Sequence, residues 1–600
     1  MRFCLLAAPL VLLFGSAHAA LGDEPSPTRL VLGLSSADDL IGELEFMIAK
    51  LADKKASWED NVFPNIEIFL EGVDPARAVR FDALFDDANG YRTEPIIPIA
   101  NLSDFLNNNL DPIGISPRRD RRDRNLYELS GSVFEGWLRS LSGDDAYAVI
   151  SKIRSDIPAE MAHPSDRHKS LVDAGNLAFA QLLNGAEDAE ERRKSFKKFR
   201  VNFSDGIQKR TDETAEAFEL RRVWAEQQMD QLEQWFVECS EVKLGLKVDQ
   251  EKKVSTADVR FAALPETELF KSIEGVSAQG SRFSVIESPE NSVIDLRTNW
   301  PYDSAVRARL REVYKLAKPV AEQAIRKDDV SDKVKDARVE FSNQLVAVLD
   351  ESVDIGGLDL VLNVAPSGDY HNILVAVRCK GQESLTAALK QLPIAEEKWT
   401  LKENAAEVEG VAIHELVIAE DLTPAVEKFY GKSGIIYLGV GPDAFWLAGG
   451  EGAKERLQAS IKKVKSADAA KPSQELVKLH IQALPLVQSM HDMSKEEGGF
   501  NLLEELRKRG LMPSQNKDTA PDGKTGEESR KEKTKQRTQQ LANFDWQSTA
   551  IETLKKQDGQ FDLVLRRSEA GVVTGSASST EGILRTIGAL IAKFADENLN

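Results

Sequence analysis

Hydrophobic and polar positions alternate most clearly between Leu358 and Leu392. Leu358, Leu360, Leu362 and Val364 interleave with Asp359, Val361, Asn363 and Ala365, the period of two of a half-buried strand. Pro366-Ser367-Gly368-Asp369 is a turn, and Ile373–Cys379 is a second apolar run. After Gly381 the spacing becomes helical, with Leu385, Ala388, Leu389 and Leu392 on one face. The unit is strand, turn, strand, helix, and the chain repeats it. Val242–Val248, Asp258–Leu264 and a helix over Glu266–Ile273 make one copy. Ser281–Ile286, Val293–Leu296 and a helix from Asp303, kinked or divided at Pro319, make another. Ile435–Val440, Phe445–Ala448 and Ala453–Val464 follow, and Phe561–Arg566, Val572–Ser576 and Glu581–Phe594 close the series. A two-stranded unit cannot bury its own sheet, so the copies join edges into larger antiparallel sheets with helices covering one face. The expected fold is α+β, in two similar lobes from a duplication.

The N-terminal half is less regular. Arg29–Leu34 reads as a strand, and Ser35–Asp38 offers cap oxygens for a helix bearing Leu40, Leu44, Met47, Ile48 and Leu51. Asn65–Leu70 and Glu94–Ile99 are strand candidates, Leu102–Leu110 a short helix, and Tyr127–Leu129 pairs with Ala146–Ile150. Thr211–Cys239 reads as a long amphipathic helix with Phe218, Ala225, Met229, Leu232 and Phe236 along a seam flanked by Trp224 and Trp235. Arg222 interrupts that seam, which favours packing on the chain's own sheet over a coiled coil with a partner. Ser514–Gln540 has almost no apolar residues and reads as a disordered loop. The expected regions are a signal peptide at 1–19, an α+β region at 20–160, a helical region at 161–240, α+β regions at 241–340 and 341–510, a disordered charged loop at 511–545, and a strand-strand-helix at 546–600 completing the second lobe.

Composition adds the compartment. Arg2, the apolar run Phe3–Phe14 and Ala17-His18-Ala19 form a signal peptide cleaved after Ala19, because the run is shorter than the roughly 20 residues a membrane span needs and contains Pro9. Cys4 has no lipobox around it, so the expected product is periplasmic or secreted, with no transmembrane segment. With 77 Lys+Arg against 97 Asp+Glu the net charge is -20, a balance that argues against nucleic acid or anionic lipid as the main partner and leaves room for a local basic patch. The most basic stretch, Ser116–Arg124, is interrupted by Asp120 and Asp123 and reads as a solvated loop rather than a phosphate site. The mature chain keeps Cys239 and Cys379, and spacing alone leaves their pairing open.

No residue set compels a chemistry. His163 and His168 are wrongly spaced for HExxH, no CxxC is present, and His371, His414, His480 and His491 are scattered. Asp86-Asp87-Ala88-Asn89-Gly90 lacks the alternation and distal Glu of an EF-hand. There is no GxSxG elbow. Gly431-Lys432-Ser433 ends like a P-loop, but Val426 holds the position of the upstream Gly; before Gly523-Lys524-Thr525, Asp518 does. Gly439–Ala444 has GxGxxA spacing, but an apolar strand follows where a dinucleotide site needs a helix. Glu94, Asp359 and Asp443 sit beside strands without an identifiable acid–base partner. No catalytic, cofactor-binding or metal-ligating residue is assigned, and no cofactor is expected.

The signal peptide, the Asp359-Leu360 strand, Gly441-Pro442-Asp443-Ala444 before an apolar strand, and Glu581-Gly582-Ile583-Leu584 together resemble a group of large exported bacterial proteins of unknown function. That resemblance implies an envelope location and brings no activity, cofactor or site residue. The expectation is a non-catalytic exported protein that binds an envelope or extracellular partner or ligand, or scaffolds the envelope. The alternatives are a carrier of an apolar ligand in a sheet-lined cavity and a hydrolase assembled from distant residues.

Overall fold

The first ten strands are β1 (Arg29–Leu34), β2 (Val79–Asp86), β3 (Gly90–Pro98), β4 (Ile115–Arg119), β5 (Leu126–Gly131), β6 (Gly136–Leu141), β7 (Tyr147–Ser151), β8 (Ala178–Leu183), β9 (Cys239–Asp249) and β10 (Val254–Ala263). The rest are β11 (Ile294–Pro301), β12 (Gly357–Ser367), β13 (Tyr370–Arg378), β14 (Thr400–Val408), β15 (Val411–Val417), β16 (Ile435–Val440), β17 (Ala444–Gly450), β18 (Glu475–Gln482), β19 (Gln560–Glu569) and β20 (Val572–Ser579). The computed structural model describes residues 29–86, 90–131, 134–142, 146–159, 174–211, 213–275, 280–418, 422–467, 474–495 and 545–599. Within them the strands form one antiparallel sheet of 20 strands, with helices packed around it.

β10 pairs with β20 at the middle of the sheet. Outward from β10 the neighbours are β9, β8, β1, β2, β3, β7, β6, β5 and β4. Outward from β20 they are β19, β18, β11, β12, β13, β17, β16, β15 and β14. The second series is the first with ten added to each number.

The helices used below are α1 (Ala37–Glu45), which continues as a wider turn over Phe46–Leu51, α2 (Ala189–Asp205), α3 (Ala215–Glu238), α4 (Glu268–Gly275), α5 (Ser304–Arg326) and α6 (Asp332–Ser352). After these come α7 (Gln382–Ala395), α8 (Pro424–Tyr430), α9 (Ala453–Ser466), α10 (Ala483–Ser494), α11 (Trp546–Leu554) and α12 (Glu581–Asn598). Side-chain oxygens start several of them: Ser36, Thr214, Asp303, Ser331 and Thr423 each accept a first-turn amide. On one face, α9 packs Leu457, Ile461 and Val464 against Leu374, Ala376, Trp446 and Ala448. On the other, α6 and α7 pack Val348, Leu385 and Leu389 against Leu438 and Val440. Helices therefore lie on both faces at this end, not one, because successive strand residues point to opposite sides and both sets are apolar here.

Several expectations are corrected. Ser281–Ile286 forms turns rather than a strand, held where the Asp359 carboxylate accepts Ser281 Oγ–H and Arg282 N–H at 2.7 Å each. Asn65–Leu70 is helical and then turn, since Trp58, Val62 and Ile66 follow the helical period. Tyr127–Leu129 does not pair with Ala146–Ile150; β6 lies between β5 and β7. The α3 helix spans Ala215–Glu238, but Val223, Met229 and Val237 are its buried residues while Leu232 is exposed. Ser116–Arg119 belongs to β4 rather than a loop, and Asp123 pairs with Arg139 at 2.8 Å. Cys239 and Cys379 are both buried and free. The signal peptide, His163, His168, Asp87–Asn89 and Ser514–Gln540 lie outside the described residues.

His414 on β15 is buried, and its Nδ1 accepts the Asn404 N–H at 3.3 Å. Burial holds its pKa below the usual histidine value, as it does for His371, whose ring stacks on Phe429 at 4.1 Å. The unfolded chain therefore takes up these protons first, so the stability they contribute is present above the unfolded value and lost as pH falls through the window below it. Thermal melts should show the melting temperature dropping between pH 7.5 and 5.5. His414→Gln, which keeps an acceptor for Asn404, should flatten part of that drop; an unchanged slope would rule His414 out as its source.

Candidate functional site

Directly opposed residues in an antiparallel pair share a face, so the strand registers define rows running across the sheet. One row reads Val79, Leu34, Ala178, Leu246, Ala257, Ala577, Leu563, Leu479, Leu296, Leu362, Val375 and Leu447. The parallel row two residues away reads Leu32, Ala180, Leu244, Val259, Gly575, Leu565, Val477, Thr298, Leu360, Val377 and Phe445. Thr298 is the one polar side chain in both. Twelve strands at about 4.8 Å spacing make the longer row roughly 50 Å long.

None of these residues is buried. Leu244 and Leu246 are 41% and 38% exposed, and Trp300, opposite the exposed Leu358 on the same face, is 41% exposed. The cause is where the helices stop. α4 packs Leu269 and Ile273 near Phe261 and Val573, and Trp235 of α3 lies 6.1 Å from the Phe261 ring. α12 and the Phe46–Leu51 turn close on Val248, and α6 and α7 reach only Phe445 and Leu447 at the far side. Between these contacts the row residues stay half-buried, with Leu244 and Leu246 exposed.

The reverse face of the same central strands is polar. Asp258, Ser576, Lys478 and Arg566 are exposed there, and His480 Nδ1 meets Asp562 Oδ1 at 2.8 Å. A sheet that already has a solvated side ordinarily covers the other, and contiguous exposed apolar surface marks a binding region. The arrangement can hold hydrocarbon: it has no charge to desolvate and is wide enough for several side chains abreast.

Reactive groups are not gathered there. Burial pushes the Cys239 thiol up to about 12 and the Cys379 thiol up to about 11, so both stay protonated. Ser548 Oγ lies 3.4 Å from His491 Nε2, but the nearest carboxylate, Asp492, is 3.7 Å from Nδ1 and is held by Lys428 at 2.6 Å. The Asp492 carboxylate is thus held more closely by Lys428 than by the imidazole. Asp359 caps the 281–286 turns, and burial raises its pKa. Asp443 pairs with Arg282 and Lys465, and Glu94 is buried across from Asp82 on β2. Asp359 and Asp443 both engage Arg282, one through its amide and one through its guanidinium, while Glu94 lies apart on β3. On α9, Arg456 donates to Asn363 and Asn372, Asn363 donates to Asp295 at 3.2 Å, and burial lowers the Arg456 pKa to about 10. The network is an internal support for β11–β13.

Two open clefts lie outside the apolar face, one of about 610 Å³ between α3 and α5 and one of about 300 Å³ beside α4. In the smaller, Asp303 caps α5, Asp354 pairs with Arg311 at 2.6 Å and Glu268 pairs with Lys271 at 2.6 Å, so each lining carboxylate has a partner. Among the described residues no group of three or more His, Cys, Asp or Glu is placed to hold a metal ion, and no helix is long and apolar enough to cross a membrane. No protein-family model, curated protein or solved structure matches the chain. Sequence reading missed the apolar face as a site. Its signal was present as alternating leucines, but only the order of the strands brings those leucines into one surface.

Proposed function

We propose that this chain is an exported, non-catalytic binding protein whose ligand is apolar and lies on the open sheet face across β8–β13 and β18–β20. The observation that carries this reading is the pair of unburied apolar rows, opposed by a charged reverse face. Export is supported by Arg2, Phe3–Phe14 and Ala17-His18-Ala19, and by the resemblance to large exported bacterial proteins. The matching neighbour orders outward from β10 and β20 support an internal duplication into two lobes, which would make the face a joint product of both.

The test is organic extraction of natively purified protein followed by mass spectrometry. An apolar small molecule near one equivalent or more is expected, and the delipidated protein should then enhance the fluorescence of an apolar probe. Absence of both would remove the reading. A second reading, a protein partner, is favoured by the exposed Phe199, Val201 and Trp224 on α2 and α3. A stoichiometric polypeptide in the same purification, with no extractable lipid, would support it instead.

A further inference from the structure

The apolar face is not uniform. At its centre Ala257 opposes Ala577 and Ser255 opposes Ser579. On either side stand larger residues: Leu246 and Val248 on β9, Leu563 and Phe561 on β19. Small side chains between tall ones leave a lane along the β10–β20 seam. The lane closes at one end, where a Cβ on Gly575 would lie 2.3 Å from Leu565 Cδ2 and 2.8 Å from Val259 Cγ1, so these side chains already fill that space.

The other end is polar and places two cations on one carboxylate. Beyond the Ser255/Ser579 pair, Lys253 Nζ lies 3.1 Å from Glu581 Oε2, and Arg585 donates to Glu581 Oε1 at 2.7 Å. Two cations share one carboxylate. The neighbouring Lys252 is separately matched by Asp249 at 2.8 Å. An anion seated there would complement the second cation, where an uncharged head would leave it unmatched.

Resting on the reading of the face as a ligand site, we infer that the ligand is an amphiphile with a long hydrocarbon chain and an anionic head, its chain on the Ala257/Ala577 lane and its head among Ser255, Ser579, Lys253 and Arg585. The face beyond the lane, over β18, β11 and β12, takes the remainder of the chain. The head is a carboxylate or a phosphate, which share this recognition.

The test titrates delipidated full-length protein with cis-parinaric acid and with its methyl ester. The acid should bind at least about tenfold more tightly than the ester, the size of one charge-assisted contact. Ala257→Phe with Ala577→Phe should weaken both probes about tenfold or more, and Ala577→Leu alone provides a milder obstruction if the double variant melts early. Lys253→Asn, which suits the left-handed backbone there (φ 57), with Arg585→Gln should remove the preference for the acid, bringing the two affinities together. Competition by palmitate or by a lysophosphatidate then identifies carboxylate or phosphate, and either supports the inference. Equal affinity for acid and ester overturns the head assignment, and unchanged binding by the lane variants overturns its position. Wild-type protein that binds neither probe overturns the function proposed above, and this inference with it.

Discussion

Leu296→Asp combined with Leu479→Asp abolishes capture of an apolar ligand while the protein remains folded. The two leucines oppose each other across β11 and β18 in the middle of the open face, and neither is buried. A carboxylate placed there stays in contact with water, so each substitution should destabilise the fold by only about 1–2 kcal/mol, the range for partly exposed positions. Hydrocarbon laid over the same spot would strip that water away, and an unpaired buried charge is among the most unfavourable arrangements in a protein. The informative control is Leu374→Asp. Leu374 lies on β13 at 0% exposure, facing α9, where the charge has no route to solvent, and that variant should fail to fold. Urea denaturation and probe titration on the same preparations read both effects. If the double variant on the open face unfolds as Leu374→Asp does, that face is a closed core and the proposed site does not exist.

Trp446→Ala destabilises the C-terminal half by about 3–5 kcal/mol, the range for removing a large aromatic from a packed interior. Trp446 is 2% exposed and meets the Phe283 ring edge-on, with centroids 5.4 Å apart and planes at 82°. Val411, Leu457 and Ile461 belong to the same cluster, so truncation opens a hole shared by β15, β17, α9 and the 281–286 turns. Trp446→Phe should recover part of the loss because it keeps an aromatic edge for Phe283. The measurement is the urea midpoint at unchanged slope. A loss under about 1 kcal/mol would mean the surrounding side chains collapse into the space, and that the 281–286 turns are held by Asp359 alone.

The hairpins of the C-terminal half were legible because each carries its own punctuation. Gly368, Gly410 and Gly571 take left-handed conformations at strand ends, and the flanking residues keep a period of two. Where two periods competed, the reading failed. Phe283 and Ile286 resemble part of a strand, but the carboxylate of Asp359, distant in sequence, claims the Arg282 amide and bends the segment. Ile66 alternates locally yet continues the helical set of Trp58 and Val62. The joins between β10 and β20 and between β11 and β18 have no local signature, since residues hundreds of positions apart select each other by fit. The open face was therefore visible only as separate alternating strands, and which side the helices leave uncovered depends on those long-range joins.

A ladder this long ends in two free margins, at β4 and β14 among the described strands. Each is ill suited to recruit another chain. β4 holds Pro117, which has no amide hydrogen to offer, next to Arg118 and Arg119. β14 breaks register between Lys402 and Ala406 and carries Glu403 and Glu407. An incoming strand would find a missing amide donor at β4 and a broken register at β14. Edge-to-edge joining of copies through β4 or β14 is thereby disfavoured by backbone geometry, whatever the charges on either border.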